Sequence, residues 1–442
     1  MPIKICTLVL TVLFATAAAA GLALEAERLV QVEDDHLVPG VLEHEVAQGP
    51  GGDGRGASPS LLALAVEVPD FTDCEFASRE PVADCLQKLK ELQLAIADRG
   101  EERGSWSALL DDPDARGALQ ALDRSVLALA GEIPQLEGRA RGMDGCLERL
   151  RAMQSAFDRF DAAEGEGEVR WYEQRGRGFA LHITPLEVAT AFDAFREQVD
   201  AAWLFTSATL SVRGDFRHFT DRMGLQDAAT LQLDSPFDYV NNARLWLPES
   251  LPEPRDPGFV PALLDDVVPL LEASRGRAFL LFTAHRSLRL AAELLAERVA
   301  FPLFVQGEQP RSLLLERFRR SGDGILLGSA SFWEGVDVIG EALSLVVIDK
   351  LPFAAPDDPV LEARSGMLRR RGGNPFTELY LPQAVIALKQ GAGRLIRDVN
   401  DRGVLVICDP RLRTRGYGAV FLESLPPMTQ ALSRDEAEDF LR

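Results

Sequence analysis

Apolar residues between about positions 58 and 163 recur at helical spacing. Val82, Cys85, Leu89, Leu92 and Ile96 share one stripe, and Leu119, Leu122, Val126 and Leu129 a second. Cys146, Leu150, Met153, Phe157 and Phe160 make a third. Residues three and four apart share a helix face, and the positions between are polar. The spacing therefore predicts a helical subdomain over 58–163 with long antiparallel members. The period changes after Glu164-Gly165-Glu166-Gly167-Glu168. Two strand-like runs, 169–173 and 179–184, flank a glycine-rich turn and predict a hairpin. With a helix near 187–199 they form a third segment, 164–202.

From Trp203 to the end, short apolar runs alternate with amphipathic stretches. Strands are expected at 203–206, 279–283, 303–305, 325–328, 343–348 and 404–408, with helices at 287–298 and 312–320 among those between. Alternation of this kind predicts an α/β domain over 203–442, a doubly wound parallel sheet with helices on both faces. Such sheets bind ligands at the carboxyl ends of their strands.

The first 57 residues fit neither pattern. Residues 1–20 carry one lysine, Lys4, then an apolar run with small residues suited to cleavage, which is the pattern of a signal peptide. Residues 21–57 are acidic and then glycine-rich, which reads as linker or disorder. The 1–57 segment is expected to be a leader foreign to the rest, signal-like or disordered. A misplaced or frame-shifted start is weighed above a cleaved signal, because the remainder reads as an intracellular motor.

Composition is that of a globular protein, 46% hydrophobic and 26% charged. The net charge of −21, from 47 basic and 68 acidic residues, argues against a general nucleic-acid coat. The charge is uneven. Between Arg364 and Arg415 eleven basic residues face four acidic ones, so a polyanion would meet a local surplus of seven positive charges. Five cysteines, Cys6, Cys74, Cys85, Cys146 and Cys408, show no C-x-x-C clip and no histidine cluster, so no metal site or disulfide framework is expected. Cys85 and Cys146 lie on apolar stripes and are expected to be buried thiols. No run but the first is near membrane-span length.

Four stretches carry candidate chemistry. Thr206-Ser207-Ala208-Thr209-Leu210 ends a strand in hydroxyl residues that can relay a hydrogen-bond change or simply cap a helix. In Thr283-Ala284-His285-Arg286-Ser287, the hydroxyl and the arginine can reach a phosphodiester, while Ser287 can serve as an N-cap. In Gly328-Ser329-Ala330-Ser331-Phe332-Trp333-Glu334-Gly335-Val336-Asp337, Ser331 can donate to a phosphate and Gly335 allows close approach to a ligand. Phe332 or Trp333 can stack on a base or pack, and packing is the commoner fate. Gln390-Gly391-Ala392-Gly393-Arg394-Leu395-Ile396-Arg397 sets two guanidiniums three apart, one face if the octet is helical. Two planar, permanently charged forks suit phosphate, though a solvated arginine face is the plainer alternative.

In this order and spacing the four resemble successive motifs of superfamily 2 helicases, most nearly the DinG/YoaA branch of the XPD-like, iron–sulfur DNA helicases. The resemblance runs from about Ser58 to the C-terminus. It implies an arch-like helical insertion followed by the second RecA-like motor domain of an ATP-dependent 5′-to-3′ helicase acting in DNA repair or replication on single-stranded or forked DNA. It implies catalytic roles for Gln390, which would orient the attacking water, and for the fingers Arg394 and Arg397, which would face outward. Glu334, Gly335, Asp337 and Gly393 would bind nucleotide. Thr283, His285, Arg286, Ser331 and Phe332 would bind nucleic acid, and Ser207, Ala208 and Thr209 would couple hydrolysis to movement. ATP, Mg²⁺ and an iron–sulfur cluster are the cofactors implied.

The family pattern is incomplete here. The five lysines, Lys4, Lys88, Lys90, Lys350 and Lys389, include none in a Gly-Lys-Ser/Thr setting, so the chain contains no phosphate-cradling loop of that type. No Asp-Glu-Ala-His box and no set of cluster cysteines appears either. Little ATP turnover is expected of this chain alone. A non-catalytic single-stranded DNA-binding module is the second reading. A secreted protein of unrelated function, resting only on residues 1–20, is the third.

Overall fold

The computed structural model describes residues 8–11, 80–100, 103–132, 151, 155, 157–160, 165, 167–175 and 178–199. It also describes 201–442 except 330, 331, 333–342 and 356. The third apolar stripe is thus described only at Phe157 and Phe160, and nearly all of the 1–57 leader lies outside the described residues.

Two compact units are present, one gathering Ala18–Trp203 with Ala355–Gly372, the other Leu204–Ala354 with Gly373–Arg442. Strand β1 (Leu8–Thr11) is the described part of the leader. In the first unit the helices Glu80–Asp98 and Pro113–Glu132 follow the predicted stripes. Cys85, Leu92 and Ile96 pack with Leu119, Leu122 and Val126, and burial raises the pKa of the Cys85 thiol. Between these helices lie β2 (Arg103–Ser105) and a short helix, Trp106–Asp111, capped by the Ser105 hydroxyl. The hairpin is β3 (Glu168–Arg175) and β4 (Gly178–Pro185), antiparallel, with β2 added along β3.

Side chains alternate across this small sheet. Tyr172, Leu181 and Ile183 join the helical core, while Val169 and Trp171 pack with Leu186 and Val360 on the other side. Trp171 stacks on His182 at 4.1 Å. Val360 belongs to the helix Pro359–Arg370, and its neighbour Asp358 lies 3.7 Å from Arg103. These contacts correct the expected boundary: 355–372 groups with the helices and hairpin, not with the rest of 203–442.

β5 (Trp203–Thr206) forms as predicted, but among the described residues it pairs with β1 and stands outside the main sheet. That sheet has seven strands: β6 (Ala243–Trp246), β7 (Ala278–Leu281), β8 (Leu303–Val305), β9 (Ile325–Gly328), β10 (Leu345–Ile348), β11 (Gly403–Ile407) and β12 (Thr429–Ala431). Their order is β12-β6-β11-β10-β7-β9-β8 and every pairing is parallel.

The period of two divides the core into halves. Phe279, Leu281, Leu326, Val346, Ile348, Leu405 and Ile407 face the helices Arg311–Ser321, Leu381–Ala392 and Gly418–Ser424. Ala278, Leu280, Ile325, Leu327, Leu345, Val347, Val404 and Val406 face Phe259–Ala273, His285–Ala296 and Arg434–Leu441. Both faces are covered, which is why these strands read as unbroken apolar runs. Gly276, at φ +76, turns the chain into β7 where a Cβ would lie 2.2 Å from the Asp323 carbonyl.

Chain direction reverses between β7 and β10. After β7 the chain moves outward to the edge strand β8 and returns through β9, and after β10 it moves the other way to β11. A doubly wound sheet opens its ligand crevice at such a point.

Candidate functional site

Leu281, Gly328, Ile348 and Ile407 are register partners across four adjacent strands, so the residues that follow them emerge side by side. The ladder runs one residue further. Phe282 donates to Gly328 O at 2.8 Å, Asp349 to Leu281 O at 3.0 Å and Cys408 to Ile348 O at 2.9 Å. Two of the four candidate motifs have described residues at this rim: Thr283–Ser287 after β7, and Ser329 and Phe332 after β9. Gln390–Arg397 leads into the start of β11, where Leu395 lies beside Gly403 at the opposite ends of the strands.

Two carboxylates stitch the rim together. Asp349 Oδ1 accepts the Thr283 N–H at 3.0 Å and the Lys350 N–H at 2.7 Å, bridging the reversal between β7 and β10. Asp409 Oδ2 accepts the Leu351 N–H at 2.7 Å, bridging β10 to β11, and Asp409 is also held by the Arg411 guanidinium at 2.6 Å. Asp349 is 1% exposed, and among the described residues its Oδ2 makes no hydrogen bond. Burial is the main cause that pushes its carboxyl up to about 7, with Asp409 adding to the rise and Lys350 and the two N–H donors opposing it.

The Thr283 loop leads straight into the helix His285–Ala296, whose N-cap is Ala284 with no side-chain cap. Ser287, the expected cap, lies inside the first turn. Arg286 and His285 are exposed, and His285 Nε2 stands 3.4 Å from the Ser329 hydroxyl, joining the loops after β7 and β9. Ser329 also donates its N–H to Gln306 Oε1 at 2.6 Å.

Thr283 gives its amide to Asp349, and among the described residues its buried hydroxyl makes no hydrogen bond, so this residue shapes the loop. Phe332 is corrected. It is 3% exposed and belongs to the sheet core, with the Arg311 guanidinium 5.2 Å from its ring centre, so no face is open for a base. Ser331, Glu334, Gly335 and Asp337 lie outside the described residues.

The arginine octet is not one helix. The helix Leu381–Ala392 stops at a Gly393 cap, and Arg394 and Arg397 lie in the turns beyond it. Leu395 and Ile396 are 1% and 2% exposed and anchor those turns in the core. Arg394 is itself 9% exposed, against the expectation of an outward fork. Arg397 is half-buried, and Asp401 Oδ2 accepts its N–H at 2.8 Å. Burial lowers the Arg397 pKa, and nearby Arg319 lowers it further against the pull of Asp401.

Gln390 is half-buried at the last turn of the helix, beside Lys389. Lys389 donates to the Ser211 carbonyl at 2.9 Å, and burial lowers its pKa. Ser211 closes the segment that begins at Ser207-Ala208-Thr209, where Ser207 Oγ accepts the Thr209 N–H at 3.1 Å. The proposed coupling segment is thus tied to the helix that carries Gln390. Asp349, Asp409, Lys389 and Gln306 were not singled out from sequence. The available signal was an acidic residue just after an apolar strand, as at Asp349 and Asp409.

The basic surplus of 364–415 is not one surface. Arg364 is buried, Arg371 pairs with Glu187 at 2.5 Å, Arg411 with Asp409, and Arg413 with Glu249 at 3.1 Å. Among the described residues no group of three or more His, Cys, Asp or Glu could hold a metal ion. The described cysteines Cys85 and Cys408 are both buried and free.

Residues 267–428 match the helicase C-terminal domain. The sheet with its motif-bearing rim is therefore a RecA-like helicase motor domain. The chain is 42% identical over 390 residues to the ATP-dependent DNA helicase YoaA of Escherichia coli K12, an alignment covering 87% of this chain and 61% of that protein. It is 41% identical to YoaA of Haemophilus influenzae, over 81% and 56% of the two chains. Identity to the ATP-dependent helicase DinG of Mycobacterium tuberculosis H37Rv is 38%, over 59% and 40%. Over most of its length the chain is similar to the YoaA and DinG helicases. It spans about three fifths of the length of the YoaA proteins it matches. The solved structure named XPD_APO shares the fold, with a TM-score of 0.52 at 14% identity over 80% of this chain and 68% of that one.

Proposed function

We propose that this chain supplies the C-terminal motor portion of an ATP-dependent 5′-to-3′ DNA helicase of repair or replication, acting on single-stranded or forked DNA. The observation that carries the reading is the rim itself, where the loops after β7, β9, β10 and β11 are tied into one surface at the reversal point of the sheet. Arg286 and His285 meet the DNA backbone in this reading, with Ser331, two residues after the Ser329 that His285 approaches. ATP hydrolysis supplies the energy for movement along the strand. Gln390 orients the attacking water, and Arg394 and Arg397 meet the charge that develops on the transferred phosphoryl group. Glu334, Gly335, Asp337 and Gly393 bind the nucleotide in this reading. The Lys389–Ser211 bond carries a change at that cleft to Ser207-Ala208-Thr209. The setting is cytoplasmic, in keeping with a DNA substrate; no helix among the described residues is long and apolar enough to cross a membrane.

Binding of the purified chain to oligo(dT), followed by fluorescence anisotropy, tests the reading. Affinity is expected to fall steeply as salt rises, and Arg286→Ala to weaken binding alike on all sequences while reducing the log–log salt slope by about one. Salt-insensitive binding, or an unchanged slope for the variant, would remove the backbone contact. DNA binding with no DNA-stimulated ATP turnover by this chain is the expected pair of results, since it contains no Gly-Lys-Ser/Thr loop. The same pair would also arise from a non-catalytic binding module. That alternative is separated by whether Arg394 matters for turnover in a full-length relative.

A further inference from the structure

We propose that Asp349 is a positioning residue of the DNA-facing rim, holding the Thr283–Arg286 loop in its binding conformation through the Thr283 amide and setting that loop's affinity for phosphate by its own protonation. The inference rests on the DNA reading above and adds to it a residue and a control that the motifs do not contain.

The geometry is specific. Asp349 leaves the end of β10 where that strand and its neighbour β7 send their chains apart, β10 to β11 on one side and β7 to β8 on the other. A ligand crevice would open between β7 and β10 there, and the carboxylate closes its base by accepting from both sides at once, Thr283 at 3.0 Å and Lys350 at 2.7 Å. Two residues beyond Thr283, the first turn of His285–Ala296 offers N–H groups that no side chain caps, beside exposed Arg286. A phosphodiester is the ligand chemistry such a turn accepts. The charge on Asp349 lies just behind it.

The neighbouring carboxylate shows what Asp349 lacks. Asp409 makes the same kind of bridge one strand over, but Arg411 holds it with bonds of 2.9, 3.1 and 2.6 Å. Among the described residues no guanidinium is recorded on Asp349, and its Oδ2 is buried and unpaired. The charged or titratable groups recorded as acting on it are Lys350 and Asp409, with the Cys408 thiol buried beside it. His285, on the positioned loop, is the further titratable group near the same surface.

The sign follows from burial. Its carboxyl is pushed up to about 7, so the folded protein holds a proton on Asp349 between about 4 and 7 that the unfolded chain releases. Stability from this residue is therefore lost as pH rises through that window. A phosphate arriving at the loop is a second negative charge, so it binds better when Asp349 is protonated. Affinity should rise as pH falls through about 7.

The experiment uses the whole 442-residue chain with wild type, Asp349→Asn and Asp349→Ala. Oligo(dT) affinity is measured from pH 6 to 8 at fixed salt, and hydrogen exchange of the peptide containing Thr283–Arg286 is measured in parallel without DNA. Wild-type affinity is expected to weaken by roughly 3- to 10-fold across the range. Asp349→Asn, which keeps the acceptor but not the charge, should stay near the low-pH value, any residual slope belonging to His285. Asp349→Ala should weaken binding at every pH and speed exchange of the loop amides by about tenfold or more while distant peptides are unchanged. The same wild-type and Asn profiles, or loop exchange unaltered by Ala, would overturn the proposal. If no form binds DNA at any pH, the DNA reading fails and the phosphate control with it, while the exchange result still decides whether Asp349 positions the loop. If Ala does not fold, Asn against wild type still decides through the pH profile.

Discussion

Alanine at the position of Arg394, introduced into a full-length relative that also carries a Gly-Lys-Ser/Thr loop, is expected to lower DNA-stimulated ATP turnover by about 10³-fold or more. The structure makes this a sharper experiment than the sequence did. An arginine only 9% exposed is held by its surroundings, so removing it tests a structural role and a catalytic one together. Arg397 separates them. It is half-buried, and burial and Arg319 lower its pKa while Asp401 raises it. Arg397 is less buried than Arg394, so Arg397→Ala should cost turnover with little loss of melting temperature. Arg394→Lys keeps a charge at the first position but not the planar fork, and a finger should remain crippled by it. If turnover in the Arg394 variants tracks the unfolded fraction, or if Arg397→Ala turns over at the normal rate, the corresponding arginine leaves the catalytic list.

The two arginines also show where sequence reading stops. Their spacing of three suggested one helical face, yet Leu395 and Ile396 between them are both core residues. Consecutive side chains on a helix point about 100° apart, and seating both in one core is easier once the chain has left the helix at Gly393. The main sheet was far more legible. Strands β7 to β11 are short apolar runs, and burial on both faces writes that pattern directly. The edge strand β12, Thr429–Ala431, has three residues and polar ones among them, while β6 includes Arg244, so neither stood out. The pairing of Asp349 with Thr283 could not be read at all, because it depends on the register that makes Leu281 and Ile348 neighbours across 66 residues of chain. The grouping of 355–372 with the first unit has the same origin. It is carried by Val360 against Trp171 and by Asp358 beside Arg103, contacts that no local pattern announces.

Phe332→Ala is expected to destabilise the second unit by about 3–5 kcal/mol, the usual cost of emptying a buried aromatic site, and to leave the affinity of the folded protein for oligo(dT) within about twofold. The motif invited the opposite view, that this ring stacks on a base. Its surroundings decide against stacking. The ring is 3% exposed, and a Cβ built on Gly328 would meet the Phe332 Cβ at 2.7 Å, so the side chain is pressed against the end of β9. Its amide donates to Ser329 O at 2.7 Å, closing a turn that directs the side chain inward, and Arg311 covers the ring from the helix at 5.2 Å. Loss of a stacked base contact would instead cost about 1–3 kcal/mol of DNA affinity with little change in stability. Urea unfolding and anisotropy on the same preparations distinguish the two outcomes, and Phe332→Leu, which retains most of the volume, should recover much of the stability. A variant that keeps its unfolding midpoint but loses DNA would return Phe332 to the nucleic-acid surface.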